Sequence, residues 1–281
     1  MAELVENVSD TARWVAAYRA RESARPDALF RDPLAERLAG ARGHAIAAVA
    51  PRLTRNGWPL VARTKLIDDL VAASIASGCD RVLNLAAGLD TRPYRLELPS
   101  TLRWIEADLP GMIDEKERQL AGEKPRCRLE RAKVDLADQA ARRAFLERAT
   151  DGASQALVIT EGLLIYLDDA EVQALGRDLA RPRVRWWVLD AVSPSVLQMN
   201  MRSMGRHLEQ APMKFAPADG VAFYERLGWR AIDVESMFLA ALKWKRLPTP
   251  MRLLSFLYKE PNPRQLGKTM WSAVVRFEQQ G

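Results

Sequence analysis

Two cysteines and two histidines in 281 residues leave several chemistries little to work with. Cys79 and Cys127 can make one disulfide at most, and neither sits at a metal-ligand spacing. A disulfide-stapled fold and a cysteine or histidine metal centre are therefore not expected, and a reducing, cytoplasmic setting is. No apolar run reaches the roughly 18 residues that a membrane span needs, so no membrane partner is expected. The opening "MAELVENVSDTARW" lacks the basic-then-apolar order of a signal peptide. Internal repeats, low-complexity tracts and evident linkers are missing too. His44 and His207 are the only imidazoles, and a surface position is the ordinary reading of each. His207 falls in a stretch, 194–217, that could reach a substrate.

Charge is present in both signs, with a net of +6. The basic residues are mostly arginines interleaved with acids, as in "RDPLAERLAGAR" and "RRAFLERATD". Interleaving reads as solvated helix faces, so nucleic acid is not expected as a partner. An anionic small ligand explains the surplus at least as well.

Hydrophobic residues make up 48%, enough for one large α/β domain over 1–281. Residues 1–60 read as helices that form an N-terminal cap. "SDTARWVAAYRARESA" suits a helix capped by Ser9 or Asp10, and Asp32-Pro33 suits a cap with proline at the first helical position. "RTKLIDDLVAASIASG" reads as a helix with Leu66, Leu70, Val71 and Ile75 on one face and Gly78 as its stop. Residues 61–192 then switch to alternating strands and helices. Short apolar runs at 81–87, 101–108, within 128–136, at 156–162 and at 184–192 read as strands. Between them lie helical stretches such as "PGMIDEKERQLAG", and Asp168 and Glu171 hold a capping-box spacing. Residues 193–281 supply cap insertions, 194–217 and 238–266, and "VAFYERLGWRAIDVES" and "KTMWSAVVRFEQ" read as a helix, a strand and a last strand that close the sheet. The expected fold is a doubly wound, mostly parallel, seven-stranded sheet with a helical cap over its carboxyl edge.

Ligands bind outside the carboxyl ends of strands in such sheets. Gly88 follows the first strand there, and Asp108 follows the second, twenty positions later. An acid at that spacing takes ribose hydroxyls in nucleoside-binding folds. The turn reads Ala86-Ala87-Gly88 and not G-x-G-x-x-G. A nucleoside without a diphosphate suits it better than a dinucleotide, and S-adenosylmethionine is the obvious one. Each residue also has a local reading: Gly88 as a plain turn, Asp108 as a cap for the helix near Pro110, Asp135 as a turn residue. Asp90 and Arg92 read as braces of the turn, and Tyr166 and the tryptophans as packing.

The string "RTKLIDD…RVLNLAAGLDTRPYRL…WIEADLPGMIDEKERQL…VDL…TEGLLIYL" resembles the leucine carboxyl methyltransferase-like family. "TARWVAAYRARESARPDALFRDPLA" is similar to the opening of its bacterial branch. The resemblance runs from about Thr11 to "FYERLGW". It implies a class I, Rossmann-like methyltransferase that uses S-adenosylmethionine and releases S-adenosylhomocysteine. Residue by residue, it implies that Arg63 clamps the methionine carboxylate and that Ala86 to Gly88 form the cofactor turn. Asp108 would take the ribose, Asp135 and Leu136 would lie near the adenine, and Glu161 would pair with the ammonium. The family usually has glycine where this chain has Ala86. Arg13, Tyr18 and Arg19 in the first helix are candidate cap contacts. The implied activity is O-methylation of a carboxyl or hydroxyl group on a small molecule. A protein carboxyl methyltransferase, a non-catalytic cofactor-binding protein and a nicotinamide-dependent oxidoreductase are the rivals. No catalytic residue is assigned.

Overall fold

The run "VRWWVLDAV" shows why this chain builds a central sheet. Successive strand residues point to opposite faces. Trp186 and Val188 enter one apolar cluster, while Trp187 and Leu189 enter another. A strand buried on both faces needs an unbroken apolar run, which parallel sheets typically have.

The computed structural model describes residues 8–204 and 212–280. Its strands are β1 Arg81–Leu85, β2 Arg103–Asp108, β3 Arg128–Lys133, β4 Ala156–Thr160, β5 Val184–Val192, β6 Trp229–Ser236 and β7 Ser272–Gln279. They form one sheet in the order β3-β2-β1-β4-β5-β7-β6. β7 runs antiparallel to both β5 and β6, and the other pairings are parallel. The chain winds outward from β1 through β2 to β3, then returns to β4. The carboxyl ends of β1 and β4 therefore flank the crevice at the switch point, where such sheets bind ligands.

The helices are α1 Val8–Ser23, α2 Ala35–Ala48, α3 Trp58–Ala76, α4 Arg92–Arg95, α5 Pro110–Gln119, α6 Gln139–Thr150, α7 Asp169–Leu179, α8 Pro194–Met204, α9 Val221–Glu225, α10 Met237–Lys243 and α11 Thr249–Leu253. α6, α7 and α9 cover one face of the sheet, and α3 and α10 cover the other. α1 and α2 pack on each other, with Tyr18 and Leu38 buried between them and Leu89 and Met112 beneath. Trp104, Trp187, Trp229 and Trp271 are fully buried. Trp187 meets Tyr224 and Trp229 edge to face at 5.5 and 5.4 Å, geometries that favour aromatic pairs.

Several helix boundaries differ from the sequence expectation. α1 already includes Ser9 and Asp10, so neither is its cap, and Asp10 instead takes both Nε and Nη2 of Arg42. α2 opens at Ala35, after a turn in which Asp32 accepts the Leu34 N–H, and it breaks at Gly40, where φ is 55°. α3 starts at Trp58, with Pro59 in its first turn, so Arg63 sits inside the helix. The α7 capping box between Asp168 and Glu171 is formed as expected.

Candidate functional site

β1 ends at Leu85, and the chain must turn at once toward the crevice. Ala86 adopts φ 52° and Gly88 φ 46°, both left-handed. A Cβ on Gly88 would stand 3.3 Å from the Ala12 Cβ, so glycine suits both the space and the conformation. The Gly88 N–H donates to Asp108 Oδ2 at 2.7 Å, and the Leu109 N–H donates to Oδ1 at 2.8 Å. The twenty-residue spacing has a structural cause: β1 and β2 pair in parallel, with Leu85 opposite Ala107, so their carboxyl ends meet. Burial raises the Asp108 pKa, and those two N–H bonds offset only part of the rise. Asp108 does not cap α5, whose start carries no side-chain cap.

Ala86 is the less comfortable residue. A side chain in the left-handed region costs about 1–2 kcal/mol, and a glycine returns part of that as unfolded-state entropy. Ala86→Gly should therefore change stability by less than about 1 kcal/mol, whereas the β-branched Ala86→Val should clearly lower the melting temperature. Thermal unfolding of both variants checks this.

A buried ion network lies beside the turn. Arg92, nearly inaccessible, donates from Nε to Asp68 at 2.7 Å and from Nη1 to Asp90 at 2.6 Å and Glu161 at 2.7 Å. Arg95 binds Asp68 with both terminal nitrogens, at 2.6 and 2.7 Å. Arg63 reaches from α3 to Glu161 Oε1 at 2.9 Å and Asp190 Oδ2 at 3.1 Å. Asp190 Oδ1 accepts the Gly162 N–H at 2.6 Å, and Asn84 donates to Asp90 at 2.8 Å. Asp68, Asp90, Glu161 and Asp190 thus face Arg63, Arg92 and Arg95, one carboxylate in excess. Burial alone would raise Asp90 and Glu161. Burial is the largest single influence, but Arg92 together with Lys116 and Arg95 at Asp90, and with Arg63 at Glu161, outweighs it, so both are held below the ordinary carboxylate range.

Turn and network open onto one cavity of about 1130 Å³. Arg63, Ala86, Gly88, Asp108, Asp135, Leu136 and Glu161 all line it, so the structure brings together every cofactor contact expected from the sequence. Asp135 also makes a local turn bond to the Ala137 N–H at 2.9 Å. Tyr18 and Arg19 line the cavity. Arg13 is not among the lining residues and pairs with Glu115. Arg19 also binds Asp32 at 2.8 Å and the Leu89 carbonyl at 2.6 Å. Tyr166, expected to be packing, stands on the wall, as do Trp14, Trp58 and Trp271. Met199, Met213, Met237, Met251, Met270 and Phe238 also line it. His44 pairs with Glu36 instead, and His207 lies outside the described residues. Among the described residues, no group of histidine, cysteine and acidic side chains could hold a metal ion.

The leucine carboxyl methyltransferase family profile matches residues 12–180. A Frankia alni protein named as an S-adenosyl-L-methionine-dependent methyltransferase is 33% identical over 85% of this chain and 88% of its own length. A relative with the same name from a Parafrankia species is 32% identical, over 89% and 85%. The chain belongs to the leucine carboxyl methyltransferase family. It is a methyltransferase with the class I, Rossmann-like fold, and its cofactor is S-adenosylmethionine. A crystal structure titled as a methyltransferase from Thermobifida fusca shares the fold, with a TM-score of 0.58 across 94% of both chains at 16% identity.

The methyltransferase's own residues fit that cofactor. The left-handed turn at Ala86 and Gly88 leaves room for close approach, Asp108 presents a carboxylate at the cavity edge, and the network carries surplus negative charge for a cationic ligand. Sequence reasoning missed Asp190 and Asp68 as parts of this site. Asp190 sits inside the apolar run of β5, where its neighbours conceal it. The available signal was its place near the carboxyl end of a central strand. Asp90 and Arg92 do brace the turn, as expected, for Asp90 Oδ1 accepts the Arg92 N–H at 2.7 Å. Arg92 also holds Glu161, at 2.7 Å.

Proposed function

We propose that this methyltransferase transfers a methyl group to an oxygen of a small, largely apolar molecule, with a carboxylate favoured over a hydroxyl. The observation that carries this reading is the size and the mixed lining of the cavity. Its volume of about 1130 Å³ exceeds the roughly 300–1,000 Å³ usual for one drug-sized ligand, leaving room for cofactor and acceptor together. Beside the charged side chains at the strand ends, its wall carries methionine and aromatic side chains that adapt to irregular apolar shapes.

When bound, S-adenosylmethionine supplies a methyl group activated by a positive sulfur. Asp108 would accept the ribose hydroxyls, and Asp135 and Leu136 would border the adenine. Arg63 uses two of its five N–H donors within the protein, leaving others for the methionine carboxylate. Glu161, with the excess negative charge around it, would face the ammonium. The protein's remaining task is alignment and the exclusion of water from an in-line displacement. A carboxylate acceptor arrives charged and needs no base, whereas a hydroxyl needs one. Glu161 is committed to two arginines, and burial raises the Tyr166 phenol, so neither is a ready base at neutral pH. The same reading places the enzyme in the cytoplasm. The thiols of Cys79 and Cys127, both buried and free, suit a reducing compartment, and burial pushes each up to about 11.

Transfer of labelled methyl to a panel of apolar acids and alcohols tests the reading. A carboxyl ester releases its label as methanol in alkali, and an ether keeps it. Label that reaches neither class would overturn the proposal. Arg63→Ala should weaken S-adenosylmethionine binding by about 1.5–3 kcal/mol, roughly tenfold to a hundredfold, yet barely affect an analogue lacking the carboxylate. Equal losses for both ligands in calorimetric titrations would mean that Arg63 acts only by holding Glu161 and Asp190.

A further inference from the structure

One stretch of surface is not explained by the cofactor site. Leu253, Leu254, Phe256 and Leu257 are 67, 58, 78 and 67% exposed, four large apolar side chains within five residues. Isolated exposed leucines are ordinary, but a contiguous apolar patch marks an interaction surface. The patch carries a charge signature as well. From Met237 to Lys259 the sequence holds five basic residues and no acidic one. Arg246 is buried against Glu22 and Asp27. Lys243, Lys245, Arg252 and Lys259 are exposed, and none enters an ion pair among the described residues.

We infer that this segment docks the enzyme on an anionic phospholipid surface. Apolar side chains that enter the headgroup boundary, ringed by lysine and arginine, are the chemistry of peripheral membrane binding. A second copy of the chain fits less well. A two-fold contact through the same patch would oppose its uncompensated basic residues with their own like charges. Lipid docking is compatible with the finding that, among the described residues, no helix is long and apolar enough to cross a membrane. The location gives docking a use. Met251 and Tyr258, which bracket the exposed residues in sequence, line the cofactor cavity, so the patch borders its wall. On the reading that the acceptor is apolar, docking would let it enter from the bilayer.

The test is co-sedimentation of the full chain with vesicles of phosphatidylcholine, with and without phosphatidylglycerol. A variant carrying Leu253→Ser, Phe256→Ser and Leu257→Ser, none of which lines the cavity, is compared with the parent. S-adenosylhomocysteine affinity and light scattering are measured on both. The parent should sediment with the anionic vesicles, be released by salt, and bind neutral vesicles at least tenfold more weakly. The variant should lose at least tenfold in vesicle binding with unchanged S-adenosylhomocysteine affinity. No sedimentation of the parent, or equal sedimentation of the variant, overturns the inference. So does a dimer of the parent that the variant dissolves, for then a second copy covers the patch. Because vesicle binding is read without an acceptor, failure of docking and failure of the transfer reading remain separate results.

Discussion

Replacing Arg92 by methionine is expected to cost about 3–5 kcal/mol of stability at pH 7, the usual loss when one partner of a buried ion pair is removed. Arg92 holds Asp68, Asp90 and Glu161 within 2.7 Å, and methionine would fill space without charge. The pH dependence gives the cause away. In the parent, Asp90 and Glu161 have lowered pKa values, so their contribution is present above the unfolded carboxylate range near 4 and is lost as pH falls through the lower folded values. In Arg92→Met the main cause of that lowering is gone, and burial pushes both groups up. With Lys116 and Arg95 left at Asp90 and Arg63 at Glu161, both groups should take up protons at a higher pH than in the parent, which removes buried charge. The deficit relative to the parent should therefore shrink between pH 7 and pH 5, as read by urea unfolding at each. A deficit below about 1 kcal/mol, or one equal at both pH values, would show that the network is solvated and not a structural element.

Asp108→Ala should weaken cofactor binding by about 1.5–3 kcal/mol, roughly tenfold to a hundredfold. The substitution also strips the Gly88 and Leu109 N–H groups of their acceptor, so the turn could shift as well. A second ligand separates the two effects. If Asp108 binds the ribose, the parent loses affinity when the ribose hydroxyls are removed from S-adenosylhomocysteine, and the variant loses little more. Additive losses would contradict the ribose role. Acidification offers a further check. The folded Asp108 pKa is raised, so affinity that depends on its carboxylate should begin to fall above the ordinary aspartate range near 3.9.

Much of this was legible because a doubly wound sheet writes itself plainly. β1, β4 and β5 are buried on both faces and read as apolar runs, each with a turn residue or an acid near its carboxyl end. The spacing from Gly88 to Asp108 was legible for the same reason, since it measures one strand–helix–strand circuit. β3, "RLERAK", lies at the sheet edge with exposed and half-buried positions, and its place had to come from its neighbours. Helix starts were less legible. Ser9, Asp10 and Asp32 are good capping residues by type, but two are enclosed by α1 and the third is taken by Arg19 and Thr91. Local preference yielded to tertiary pairing at Asp10, and only in part at Asp32, whose Oδ1 still accepts the Leu34 N–H. The break at Gly40 and the left-handed Ala86 are backbone choices made by packing, which residue type alone does not reveal. The ion network was legible only in part. Asp68 and Asp190 are far apart in sequence, and the guanidinium groups that gather them act through space.

The central claim is that the cavity beside Ala86, Gly88 and Asp108 holds S-adenosylmethionine. Calorimetric titration of the purified chain with S-adenosylhomocysteine and, separately, with NADH tests it most directly. The account predicts saturable binding of S-adenosylhomocysteine and none of NADH. Selective binding of NADH, or no binding of S-adenosylhomocysteine, would contradict it.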